Sequence, residues 1–295
     1  MRYDPHETLV APARPSAQPL RLLAGIVLTV ILFLVLSSGV SALHRAFLSP
    51  QAWEALAQNL QTGSSPAAVL INLFVFGLLI VALAVSMTVV HQRRIGGLIG
   101  PLAPALRQFR QVSLVLFALL IVINILPGDD SLAAEPNMPF GLWLLFLPVG
   151  LLALLVQTAA EEMAFRGYLQ SQLAARFAHP IVWMGLPSIL FALLHLDPAL
   201  HGENTWFVIA WAGCFGLAAA DLTARSGTLG PAIALHFVNN MNAILFAAPK
   251  GNFDGLALYV YPFSLDELGG VWAWFPTDLM LLGCSWLAAR VALRR

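Results

Sequence analysis

The stretch LLAGIVLTVILFLVLSSGV, residues 22–40, runs for nineteen residues without a charge. A helix rises 1.5 Å per residue, so about 20 apolar residues suffice to cross the hydrocarbon core of a bilayer. Eight stretches of this kind follow one another: Leu22–Val40, Ala67–Val90, Val112–Leu126, Phe140–Ala160, Pro180–Leu196, Trp206–Leu222, Leu229–Ala248 and Val271–Leu293. The third is short and the fifth is interrupted by Pro187. Only 10% of the residues are charged, against about 25% in a soluble domain, which excludes a water-soluble fold. The pattern predicts an all-α fold, a polytopic transmembrane helical bundle of about eight spans.

Net charge is zero, which argues against a nucleic-acid partner and leaves the lipid bilayer as the first partner. With the N-terminus inside and all eight stretches crossing, thirteen of the fifteen Lys and Arg residues fall on the inner side and only Arg45 and Lys250 on the outer. That bias predicts both termini in the cytoplasm of a multi-pass cell-membrane protein. Residues 1–21 read as a polar cytoplasmic tail, and the first span as retained rather than cleaved. Segment 127–139, with Asp129, Asp130 and Glu135, falls outside, as does 249–270. Cys214 and Cys284 form no CxxC and read as small packing residues. The division expected is a tail over 1–21, a three-span scaffold over 22–139, a core over 140–250, and a loop with the last span over 251–295.

From residue 155 onward polar groups enter the apolar runs. A charge at the bilayer centre costs about 2.5–3.5 kcal/mol, so it persists where it pairs, lines water or does chemistry. Glu162 and Arg166 are spaced i,i+4 and can pair on one helix face. Glu161 points about 100° away and is left unclaimed. FALLH places Phe191 and His195 one turn apart, and HFVNN does the same for His236 and Asn240, with Asn239 a geometric substitute for Asn240. Each set has a plain structural reading: a helix end, a packed histidine, a polar contact between helices. Asp221 and Arg225, again i,i+4, read as structural.

Together, a free Glu, two intramembrane His and an amide are the parts that peptide-bond hydrolysis needs. A carboxylate assisted by an imidazole can take a proton from an attacking water, and a second His with an Asn can donate to the oxyanion. The same residues allow an alternative in which Glu161, His195 and His236 ligate a catalytic zinc. From a different class, the polar cluster suits a non-proteolytic membrane protein serving transport, proton or ion binding, or immunity. No HExxH, GxSxG or GxGD occurs, so a zincin, a serine or an aspartyl protease has no support.

EEMAFR at 161–166, FALLH at 191–195 and HFVNN at 236–240 stand in the order EExxxR, FxxxH, HxxxN. In these three motifs the chain resembles the CAAX protease and bacteriocin-processing family (CPBP, or Abi) of intramembrane proteases, which includes the CAAX prenyl endopeptidases. The resemblance covers roughly residues 140–250. It implies an intramembrane endopeptidase, often classed as a metalloprotease, acting on a membrane-associated protein or peptide from the cytoplasmic side. It further implies that Glu161 and His195 activate the water, that His236 and Asn240 form the oxyanion site, and that Glu162 and Arg166 support the geometry. The metal-free version is preferred over zinc, because Asn240 has a role there and none as a zinc ligand.

A simple crossing by 140–160 and another by 180–196 would leave Glu161 and His195 about 25 Å apart. If the helix instead continues to about residue 177 and turns at Ala178–Pro180, an antiparallel hairpin brings the two level. The hairpin is therefore expected.

Overall fold

A computed structural model of the chain describes residues 3–125 and 133–294. Nine principal helices carry the architecture among them. They are α1 (Pro19–Phe47), α2 (Pro50–Thr62), α3 (Pro66–Val89), α4 (Leu102–Ile125), α5 (Phe140–Ala174), α6 (Ile181–Leu193), α7 (Thr205–Ser226), α8 (Gly230–Asn240, continuing to Phe246) and α9 (Leu268–Leu293). Among the described residues five helical stretches are long and apolar enough to cross a membrane: α1, α3, α4, α5 and Pro198–Ser226, which ends in α7. The other three predicted spans are also helical, but α6 is short, α8 and its continuation carry His236 and three asparagines, and α9 has Pro276, Thr277 and Asp278 at its middle. The helix of the short third stretch, Val112–Leu126, begins ten residues earlier, with Arg107 and Arg110 on its exposed face; Leu126 itself lies outside the described residues. Asp129 and Asp130 lie outside the described residues.

The outward faces are apolar, as lipid demands. Leu20, Leu23, Ile31, Leu34 and Val35 of α1 are all exposed, and so are Cys214 and Cys284. The two cysteines therefore do not pack the interior. The interior is organised around α8, whose residues Gly230–His236 and Val238 are buried against α4, α5 and α7. Val112, Leu116, Phe191, Phe215, Leu222, Leu235 and Val238 form the largest cluster. Gly216 makes the α6–α7 crossing tight: a Cβ there would stand 2.9 Å from that of Ser188. That closeness lets Phe191 and Phe215 stack at 5.9 Å.

The fold is not wholly helical. Glu135–Pro136 (β1) pairs antiparallel with Tyr259–Tyr261 (β3), which pairs parallel with Ala247–Pro249 (β2). This small sheet ties the described end of 127–139 to 249–270, the two segments that the charge count places on one side.

Residues 3–16 are no loose tail. They coil into three short turns of helix and bury Leu9, Val10 and Ala13. Tyr3 donates its hydroxyl to Asp221 at 2.8 Å. Asp221 also accepts from Arg225 at 2.7 Å and from the Trp286 indole at 3.0 Å, so this pair is a clamp joining the N-terminus, α7 and α9. The His6 ring lies 4.8 Å from that of Trp183, and its Nε2 accepts from the Gln170 amide at 3.3 Å. Gly227, at φ +74°, has the Pro5 carbonyl where a Cβ would stand.

Burial lowers His6 to about 4. It does the same to His91, with the nearby Arg93 adding to the effect; His91 contacts Ser16 at 3.0 Å. Both rings are thus kept neutral, with folded values below the ordinary 6.5. Their contribution to stability is complete above pH 6.5 and lost as pH falls through about 4. Residues 3–16 are expected to become protease-sensitive between pH 6.5 and 4, and His6→Phe should flatten the part of that dependence due to His6. Unchanged protection at pH 4 would contradict the docking described.

Candidate active site

The expected hairpin is present. The helix that starts at Phe140 runs past Glu161 to Ala174, and α6 returns from Ile181. The Arg166 guanidinium lies 4.7 Å from the centre of the Phe191 ring, and the Phe165 and Phe191 rings meet edge-on at 5.3 Å. These contacts set the register. Glu161 lies five residues back from Arg166 and His195 four on from Phe191, so in an antiparallel pair they stand at nearly the same depth. Stretches of wide π turns take in the end of the first motif, over Met163–Gln170, and follow the third directly, over Met241–Phe246, while another, Ile181–Gly185, opens α6 well before the second. Such turns recur at functional sites because they redirect the side chains around them.

The two adjacent carboxylates have different surroundings. Glu162 is fully buried, and its Oε1 accepts from Arg166 Nη1 at 3.1 Å and from His236 Nδ1 at 2.8 Å. It therefore does more than pair with Arg166: it also fixes the ring of the third motif's histidine. With Nδ1–H donated to Glu162, the Nε2 edge of His236 faces Glu161 Oε2 at 3.5 Å. Glu161 keeps 14% of its side-chain surface open. Phe215, which the sequence did not single out, meets the His236 ring edge-on at 4.8 Å.

His195 sits just past the end of α6, where its Nδ1–H donates to the Phe191 carbonyl at 3.0 Å. A carbonyl only accepts, so this bond places the proton on Nδ1 and leaves the Nε2 lone pair free. The ring is half-buried and packs 4.9 Å from the Phe191 ring, which lies 6.1 Å from His236. No hydrogen bond or ion pair joins His195 to Glu161 or His236 among the described residues. Asn240 donates Nδ2–H to Gln157 Oε1 at 3.0 Å and accepts from Asn239 at 3.2 Å. Asn239 thus supports Asn240 rather than replacing it. Gln157 escaped the sequence reading, although an amide one turn before Glu161 in an apolar run is a signal of the kind that Glu161 itself gave.

Among the described residues no group of three His, Cys, Asp or Glu side chains gathers where one ion could bind them. Glu161 and His236 approach each other, but the third donor of the zinc alternative, His195, is not with them.

The surroundings of the acids predict unequal costs of substitution. Arg166→Met leaves the Glu162 carboxylate buried without its counter-ion and should lower stability by about 3–5 kcal/mol. Glu161→Gln should cost markedly less, since it disturbs one longer contact at a partly open position. Thermal unfolding in detergent ranks the variants, and equal losses would contradict this assignment.

The uncharacterized protein YyaK of Bacillus subtilis (strain 168) is 26% identical over 143 residues, which span 48% of this chain and 47% of that relative. The match thus spans about half the length of the relative. No solved structure matches the chain. The family model described as Type II CAAX prenyl endopeptidase Rce1-like matches residues 142–242, the segment that bears all three motifs.

Proposed function

We propose that the chain is an intramembrane endopeptidase that hydrolyses a peptide bond of a membrane-associated protein or peptide without a metal. The observation that carries this reading is the grip of Glu162 on His236, which turns the other edge of the ring toward Glu161 at 3.5 Å. In this reading Glu161, with the free Nε2 of His195, takes a proton from water as its oxygen bonds to the scissile carbonyl carbon. His236 and Asn240 donate to the oxyanion that forms, through Nε2–H and Nδ2–H. When the C–N bond breaks, Glu161 returns the proton to the leaving amine. Glu162 and Arg166 keep the ring in place and take no part in proton transfer.

The family match supports a protease, and the two-donor arrangement supports the metal-free route over the zinc alternative. The eight-span topology with cytoplasmic termini, and a site reached from the cytoplasm, rest on the thirteen-to-two distribution of Lys and Arg. The description of the matching family model makes a prenylated peptide one class to try, beside unmodified membrane peptides.

The test uses purified protein in detergent with two fluorogenic probes, a farnesylated peptide and an unmodified apolar one. Glu161→Ala, His195→Ala and His236→Ala should each lower cleavage by at least about 100-fold, and a chelator should leave it intact. Full proteolysis by Glu161→Ala would overturn the assignment. Chelator-sensitive cleavage with one tightly bound zinc per chain would overturn the metal-free route.

A further inference from the structure

We infer that Gln157 is a positioning residue, whose side-chain oxygen sets the orientation in which Asn240 meets the oxyanion. The inference rests on the peptide-hydrolysis reading above and adds a residue to it. Gln157 is 6% exposed and lies on α5 four residues before Glu161, hence on the same face of the helix. Its Oε1 accepts one Nδ2–H of Asn240 at 3.0 Å, while the Asn240 Oδ1 accepts from Asn239 Nδ2 at 3.2 Å.

An amide side chain has a donor end and an acceptor end of nearly equal size, and only the donor end stabilises negative charge. If Asn240 were free to flip, its oxygen would face the oxyanion in part of the population and repel it. Asn239 occupies the oxygen and Gln157 occupies one of the two N–H groups, which leaves the second N–H for the reacting carbonyl. Because Gln157 and Glu161 share one helix, the same element spaces the oxyanion donor relative to the base. Preorganised donors of this kind are worth most where water is excluded.

Gln157→Met removes the acceptor at nearly constant volume. It should lower kcat by about 10- to 100-fold, less than the full loss of an oxyanion donor, with KM within about twofold of wild type. The deciding measurement is the double-mutant cycle. If Gln157 acts through Asn240, adding Gln157→Met to Asn240→Ala should cost no more than about twofold. Gln157→Glu, which keeps an acceptor oxygen, should retain more activity than Gln157→Met. Asn239→Ala, at a half-buried position, carries the same test from the other end of the amide if Gln157→Met does not fold. An additive loss in the cycle, a change in KM alone, or full activity of the single variant would overturn the role. Absence of cleavage by wild type would sink the protease reading and this inference with it, whereas wild-type cleavage with an additive cycle sinks this inference alone.

Discussion

The site depends on one buried carboxylate. Glu162 has no exposed surface, and a lone charge in that position would cost several kcal/mol. Two partners offset the cost, and both act through Oε1: Arg166 from the same helix and His236 from α8. The first bond turns a liability of composition into an intrahelical ion pair. The second fixes the tautomer and tilt of a histidine on another helix. Because α8 is the central, most enclosed helix, locking His236 to α5 also locks the two elements that carry the first and third motifs.

Packing then brings in the second motif. Arg166 lies against the Phe191 ring, and Phe191 and Phe215 flank His236. The guanidinium that neutralises Glu162 therefore also meets α6, whose end carries His195. Small residues such as Gly216 allow this closeness. At the other end of these helices, residues 3–16 cover their tips through Asp221, Trp183 and Gln170. Those contacts lie beyond the 142–242 segment in sequence, yet they pack on helices inside it.

Much of this was legible in the sequence. The helical membrane class followed from the apolar runs, and the separation of Glu161 from Glu162 from an angle of about 100° between neighbours on a helix. The hairpin followed from distance once the resemblance paired Glu161 with His195 on one water: two simple crossings would have left them about 25 Å apart. The rest was hidden for physical reasons. The bond from Glu162 to His236 joins residues 74 apart, and nothing in local spacing selects Glu162 over Glu161 for it. Gln157 was passed over because one amide in an apolar run looks like any polar contact between helices. Tyr3 and His6 sit in a segment that reads as a polar cytoplasmic tail, and each is held by a partner more than 160 residues away. The short sheet could not be read because its strands are two or three residues long.

The central claim is a division of labour between neighbouring carboxylates, one locked and one reactive. Labelling with a membrane-permeant carbodiimide, mapped by peptide mass spectrometry and followed alongside cleavage, tests it directly. The account predicts that the adduct forms on Glu161 and that cleavage falls in proportion to its yield, while Glu162 is protected by Arg166 and His236. An adduct on Glu162 in folded protein, or full cleavage by protein fully modified at Glu161, would contradict it.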